Sequence, residues 1–284
     1  MRIVLLTGND RVGGPEHRYL AEKFREAFGA QLVGVIVAEA PAKPVGAKIR
    51  RAWRRYDLAG MSRRVARAAY QICTLAAQKR QVATAKHLFA GCARVPRPLL
   101  DQATHLVNDH NAPESLALLD QLKPDIIAVY GTKIIKPTVL AKAGIETLNL
   151  HTGLSPYYRG DSTTFWPLYF GDTDQLGVTV HRLAAAVDGG DIIATGVTPF
   201  VHGDDEASLF AKAVVLGTDL YIDAIRSVYA GTAQFVPQSK NIGREFRNVE
   251  RTVAAELRVQ WNLWRGLRQN GTDGTPLRRS ELLI

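Results

Sequence analysis

Cysteine is scarce in this chain. Cys73 and Cys92 stand alone among 284 residues, with no C-x-x-C spacing. Neither a disulfide-stapled scaffold nor a thiolate zinc site is expected, and a reducing compartment fits. Both residues read as small buried hydrophobes. Long apolar runs are also missing. The stretch Ile3 to Leu6 ends at Thr7-Gly8-Asn9-Asp10, too short for a signal-peptide core and far too short for a membrane span. The expected location is the cytoplasm. Internal repeats and low-complexity tracts are absent. The turn Gly8-Asn9-Asp10-Arg11-Val12-Gly13-Gly14 does not follow G-x-G-x-x-G, which argues against a dinucleotide cofactor. His17, His87, His105, His110 and His202 show no ligand spacing, so no metal is expected. Ser155 has no nucleophile-elbow setting.

What is present is enough apolar material for a large core. The chain is 46% hydrophobic and 22% charged, the balance of a globular protein rather than a disordered one. Its pattern alternates strands and helices. Arg2 to Thr7 reads as a buried strand, Pro15 to Phe28 as a helix and Gln31 to Val37 as a second strand, the opening of a parallel sheet. The alternation resumes with a helix over Pro113 to Leu122, a strand over Asp125 to Tyr130, a short helix over Pro137 to Ala143 and a strand over Thr147 to Leu150. Strands over Gly177 to Leu183 and Asp191 to Val197 flank a turn. A helix then begins at Asp204-Asp205 and places Leu209, Ala213, Leu216 and Leu220 on one side.

The formal net charge is +9, and the excess is localised. Between Val45 and Leu100, thirteen Lys or Arg face one acid, Asp57. Such a segment either attracts phosphates, nucleic acid or an anionic membrane surface, or is a solvated helical face. Residues 45–110 are expected to form a basic helical insertion, broken at Gly60, beside the sheet. Near the end, Arg251, Arg258 and Arg265 recur every seven residues, and Val253, Leu257, Trp261 and Trp264 share another face. That pattern describes an amphipathic basic helix; docking on the core is the preferred reading and a membrane surface the other. The expected division is a catalytic unit over 1–235 and a helical C-terminal extension over 236–284.

The densest chemical signal is Asn149-Leu150-His151-Thr152-Gly153-Leu154-Ser155-Pro156-Tyr157-Tyr158-Arg159-Gly160. Asn149 and His151 are two apart on extended chain, so both side chains point to the same side. They sit at the carboxyl end of a strand, where open α/β sheets bind ligands. A second signal is Gly177-Val178-Thr179-Val180-His181 followed by Val187-Asp188-Gly189-Gly190-Asp191, with Asp188 in a Gly-rich turn. His181 reads as structural.

In order and spacing, Asn149, His151, Pro156, Arg159, Gly160, Gly177-Val178-Thr179, Asp188 and Gly190 resemble the folate-dependent formyltransferase family, which includes glycinamide ribonucleotide, methionyl-tRNA and amino-sugar formyltransferases. The resemblance covers roughly 125–225. It implies a Rossmann-like α/β fold, a mostly parallel sheet flanked by helices, with 10-formyltetrahydrofolate as formyl donor. By the same resemblance Asn149, His151 and Asp188 would be catalytic. Tyr130, Gly131, Thr132, Lys133, Ile134 and Ile135, with Val187, Gly189 and Gly190, would line the pterin pocket. Gly8, Asn9, Gly13, Tyr158, Arg159, Ser162 and Thr163 would lie on the acceptor side; the first glycines either read a phosphate or only make the turn.

The bond being made sets the chemistry. A neutral amine attacks the formyl carbon, and negative charge grows on the formyl oxygen. The Asn149 amide and an imidazole N–H of His151 can meet that charge, while Asp188 orients His151 or passes a proton through water. The loop Thr152-Gly153-Leu154-Ser155-Pro156 differs from the Ser-Leu-Leu-Pro usual in the family, so the acceptor is the less defined half. The β-rich domain of tRNA-acting relatives finds no counterpart after Gln238, so a small anionic amine such as an amino-sugar nucleotide is expected ahead of initiator tRNA, and nucleic acid is not the expected partner. A homo-oligomer and a peripheral membrane contact are compatible with this reading. Hydrolysis of 10-formyltetrahydrofolate, methionyl-tRNA formylation and non-enzymatic binding of an anionic polymer or membrane are the alternatives.

Overall fold

The computed structural model of the protein describes residues 1–8, 14–39, 46, 53, 56–90, 103–184, 188–239 and 242–267. Its centre is a seven-stranded sheet in the order β3-β2-β1-β4-β5-β7-β8. The strands are β1 (Ile3–Gly8), β2 (Leu32–Ala38), β3 (Thr104–Val107), β4 (Ile126–Tyr130), β5 (Glu146–His151), β7 (Gly177–Arg182) and β8 (Ile192–Val197). The first five in spatial order pair in parallel. β7 then runs antiparallel to β5, and β8 antiparallel to β7.

Both faces of the sheet are covered, which explains why its central strands are apolar without alternation. Ile3 and Leu5 of β1 face one layer, with Leu20 and Phe24 of α1 (Pro15–Phe28) and Tyr221 and Ile225 of α7 (Glu206–Tyr229). Val4 and Leu6 face the other, with Leu119 of α4 (Pro113–Leu122) and Val139 of α5 (Pro137–Leu140). Two basic helices, α2 (Leu58–Thr74) and α3 (Ala76–Leu88), lie outside this sandwich. A smaller cluster joins β6 (Tyr158–Gly160), which pairs with β9 (Arg244–Phe246), to α6 (Phe165–Phe170) and α8 (Val253–Arg265).

Three expectations change. The segment after residue 235 is not helical throughout, because Arg244–Phe246 forms β9 against β6. The insertion is not helical to residue 110, because Thr104–Val107 adds the edge strand β3. Leu106 at that edge stays about half exposed, so the strand carries a weak apolar signal. The helical break falls at Leu75, which takes a left-handed φ of 52° between α2 and α3, and not at Gly60. The Asp57 side chain instead accepts from the Gly60 N–H at 2.7 Å, which makes Gly60 part of a capped first turn.

One polar contact spans helix and sheet. The Val129 N–H donates to the Tyr221 hydroxyl at 2.7 Å, and that hydroxyl donates to the Leu148 carbonyl at 2.7 Å. Tyr221 thus stands inside a rung of the β4–β5 ladder, one residue before Asn149. Tyr221 is fully buried, so its loss leaves a donor and an acceptor unpaired. Tyr221→Phe is expected to cost about 1–3 kcal/mol, read as a lower midpoint in urea melts with an unchanged slope; no loss would show that the strands close the rung themselves.

Candidate active site

The site forms where the parallel sheet reverses direction. β5 ends on Asn149, Leu150 and His151, and the antiparallel register sets Asn149 opposite His181 of β7. The His181 Nδ1 lies 2.8 Å from the Arg182 carbonyl, which can only accept, so Nδ1 carries the hydrogen. Its Nε2 therefore accepts from the Asn149 amide at 3.0 Å. His181, fully buried, fixes which way the Asn149 amide points. No described residue takes the second N–H of that amide.

Asp188 sits in the loop between β7 and β8 with a left-handed φ of 46°. Its Oδ2 accepts from the Gly160 N–H at 2.9 Å and lies 3.4 Å from His151 Nδ1, while Oδ1 lies 3.7 Å from His181 Nε2. Burial by itself would raise the carboxyl pKa. His151 and the Gly160 N–H outweigh burial and hold it well below the usual carboxylate range. The His151 Nε2 donates to the Tyr158 carbonyl at 3.0 Å, so a ring with hydrogen on both nitrogens satisfies both of its neighbours. Gly153 makes room for this contact: a Cβ there would stand 2.5 Å from His151 Nε2 and 2.7 Å from the Tyr158 carbonyl oxygen.

The Asp188 loop is pinned from behind. The Gln238 Nε2 donates to the carbonyls of Asp188 and Gly190 at 2.9 and 2.6 Å. A Cβ on Gly190 would come within 1.8 Å of the Arg182 carbonyl oxygen, so only glycine fits there.

A cavity of about 810 Å³ opens on Asn149, His151 and Asp188, the size of a small-molecule site. Tyr130, Gly131, Thr132, Lys133, Ile134 and Ile135 line one side, and Ser162 and Thr163 another. Ile135 is buried, whereas Ile134 stands exposed at the rim. Other expected residues do not line the cavity. The Tyr158 hydroxyl donates to Asp172 and its ring stacks on Phe246, so it contributes only its carbonyl. Arg159, Gly8, Gly189 and Gly190 are also not lining residues. Asn9, Gly13 and Val187 lie outside the described residues. Cys73, read as buried, is exposed.

Several lining groups carry no signal in the linear pattern. Glu16 and His17 enter from the first turn of α1, Arg80 from α3, Glu206 from α7, and Arg251 from the turn before α8. Arg251, expected on an exposed stripe, is buried between Glu206 and Glu256, with four contacts of 2.8 to 2.9 Å. Arg80 adds a 2.7 Å contact to Glu206. Burial would raise the Glu206 pKa, but Arg251 and Arg80 hold it down. By contrast burial pushes the Glu16 carboxyl up to about 7 and the His17 imidazole down to about 4. Their 3.7 Å approach is thus one of neutral groups near pH 6, with the His17 Nδ1 held by Thr7 Oγ1 at 2.8 Å.

Residues 64–225 match the family model described as formyl transferase. A methionyl-tRNA formyltransferase of Chlorobium chlorochromatii is 28% identical over 162 residues, 57% of this chain and 50% of that protein. The match thus spans about half the length of that curated relative. Among solved structures, a sugar N-formyltransferase from a Shewanella species aligns over 98% of this chain and 96% of its own at 12% identity, with a TM-score of 0.55. An N-formyltransferase from Helicobacter canadensis, solved with folinic acid and dTDP-3-aminofucose, aligns over 93% of this chain and 81% of its own at 14% identity, with a TM-score of 0.50. At these identities the structural likeness bears on the fold alone, and it agrees with the expected α/β architecture.

The Glu16 carboxyl sets a test of the cavity wall. Between pH 4.5 and about 7 the folded chain keeps a proton that the unfolded chain has released, so this group lowers stability as pH rises. Glu16→Gln stays neutral throughout. The variant is expected to be more stable than the parent above pH 7, by up to about 3 kcal/mol, with the gap closing below pH 4.5. Urea melts on either side of this window check it; a pH-independent gap would refute the assignment. His17 slopes the other way, losing stability as pH falls from 6.5 toward 4, so the two contributions oppose each other where the windows overlap.

Proposed function

The chain belongs to the formyl transferase family, and on that premise we propose that it moves a formyl group from 10-formyltetrahydrofolate to the amine of a small anionic acceptor such as an amino-sugar nucleotide. The observation that carries this reading is the convergence of Asn149, His151 and an ionised Asp188 on one cavity. The cavity fits the donor in kind: a backbone-rich segment, Tyr130 to Ile135, offers N–H and C=O groups beside an apolar wall, suited to a flat heterocycle.

Asn149 supplies the aimed donor. One of its amide N–H groups is fixed on His181, which leaves the other for the oxygen that gains negative charge as the amine attacks. His151, held between the Tyr158 carbonyl and Asp188, brings positive charge beside that oxygen when doubly protonated. The new C–N bond forms as the formyl carbon leaves the folate nitrogen; the amine loses one proton and the folate nitrogen gains one. Asp188, being ionised, balances His151 and can relay that proton through water.

The acceptor side is weighted to anions. Arg67, Arg80 and Arg251 stand against Glu206 and Glu256, three guanidiniums to two carboxylates, and Arg80 and Arg251 reach the cavity. An aminoacyl-tRNA amine is the second reading, favoured by the name of the curated relative.

The test is a panel of amines, amino-sugar nucleotides and methionyl-tRNA included, incubated with 10-formyltetrahydrofolate and read by a gain of one formyl mass. Asn149→Ala and His151→Ala are expected to lower turnover roughly a hundredfold or more per folded chain, and His151→Ala, which strips a partner from the buried Asp188, to melt below the parent as well. Parent-like turnover in His151→Ala would remove the assignment. Formate release without amine would give the site to hydrolysis.

A further inference from the structure

Two helices outside the sheet sandwich present apolar faces to solvent. α8 docks through Ala255, Val259 and the carbons around them, but its opposite face carries Leu257, Trp261 and Trp264. Trp264 is 77% exposed, and its ring packs on that of Trp261 at 4.9 Å. The neighbouring α2 repeats the pattern. Leu58, Val65 and Ile72 recur at seven-residue spacing along one face and are 75%, 64% and 73% exposed. The helices are tied together by Gln260, whose amide donates to the Tyr70 hydroxyl at 2.9 Å, and by Arg67, which reaches Asn248 and Glu256.

Arg67 and Tyr70, which reach α8, lie on the side of α2 opposite Val65 and Ile72, so the two apolar faces are separate; that of α8, with Leu257, Trp261 and Trp264 together, marks a docking surface. The charge around them chooses the occupant. Among residues 56–90, Arg67 and Arg80 are paired inward with Glu256 and Glu206, which leaves Arg63, Arg64, Lys79 and Lys86 against Asp57 alone. Arg258 and Arg265 flank the tryptophans, with the Arg265 guanidinium 5.8 Å from the Trp261 ring centre. A second copy of so basic a face would be repelled. An anionic bilayer supplies both halves of the complement: headgroups for the arginines and an acyl boundary for Trp and Leu. Among the described residues no helix is long and apolar enough to cross a membrane, so α8 would lie on the surface.

We propose that the outer face of α8 is a peripheral docking surface for an anionic lipid bilayer, with Leu257, Trp261 and Trp264 entering the interface and the surrounding arginines meeting the headgroups. This assignment is independent of the acceptor. It does bear on the site's surroundings, because Arg251, which lines the cavity, stands just before α8.

The experiment is vesicle flotation of the full chain with phosphatidylcholine alone and with equal parts phosphatidylcholine and phosphatidylglycerol. Partitioning onto the mixed vesicles is expected to exceed that onto neutral ones by about tenfold or more, to fall as salt rises, and to shift tryptophan emission to the blue. The double variant Trp261→Ser/Trp264→Ser is expected to lose about tenfold in partitioning and to melt like the parent, since both rings are exposed. Three results would overturn the proposal: equal partitioning onto neutral vesicles, parent-like binding by the double variant, or no binding together with a concentration-dependent dimer that the same substitutions abolish, which would give the face to a second copy.

Discussion

The Asp188 carboxylate ties three strands together at the centre of the site. It stands in a left-handed turn, takes the Gly160 N–H, and lies within ion-pair distance of histidines from two strands. Burial opposes its charge, and His151 with the Gly160 N–H restores it. A buried anion of this kind is stable only while all its partners hold their places. The loop carrying it, the strand end carrying His151, the short strand β6 and the Gln238 clamp are therefore mutually dependent.

That dependence explains the position of the site at the reversal in the sheet. Five parallel strands deliver their carboxyl ends to one edge, and β7 returns antiparallel to set His181 beside Asn149. A sixth strand parallel to β5 would have reached this edge only through a crossover, and His181 would not face Asn149. One strand over, Tyr221 bridges β4 and β5, its hydroxyl meeting the Val129 N–H and the Leu148 carbonyl.

The outer helices follow a different balance. Around the cavity the charges are paired and buried, as Arg251 is between Glu206 and Glu256. On the far side of α2 and α8 the apolar groups are exposed and the cations lie among them. The chain thus spends its carboxylates inward on Arg251 and Arg80 and leaves its outer surface basic. One charge excess, visible as +9 in the composition, accordingly has two physical settings.

Much of the layout was legible in the sequence because it is local. The spacing Asn149-x-His151 places two side chains on one side of a strand whatever the rest of the chain does, and the apolar runs of β1, β2 and β4 mark buried strands by composition. Pro15 and Pro113 mark helix starts by their fixed φ. What the sequence could not decide depends on distant partners. Arg251 looks like one member of a surface stripe until Glu206, forty-five residues away, closes on it. His181 looks like strand filler until the antiparallel register brings it to Asn149. Leu257, Trp261 and Trp264 read as a core-facing stripe by periodicity, yet α8 docks by its opposite face. Hydrophobic spacing identifies a face; only the surrounding tertiary surface, already filled by Phe246, Trp166 and Leu168 on the Val259 side, decides whether that face is buried.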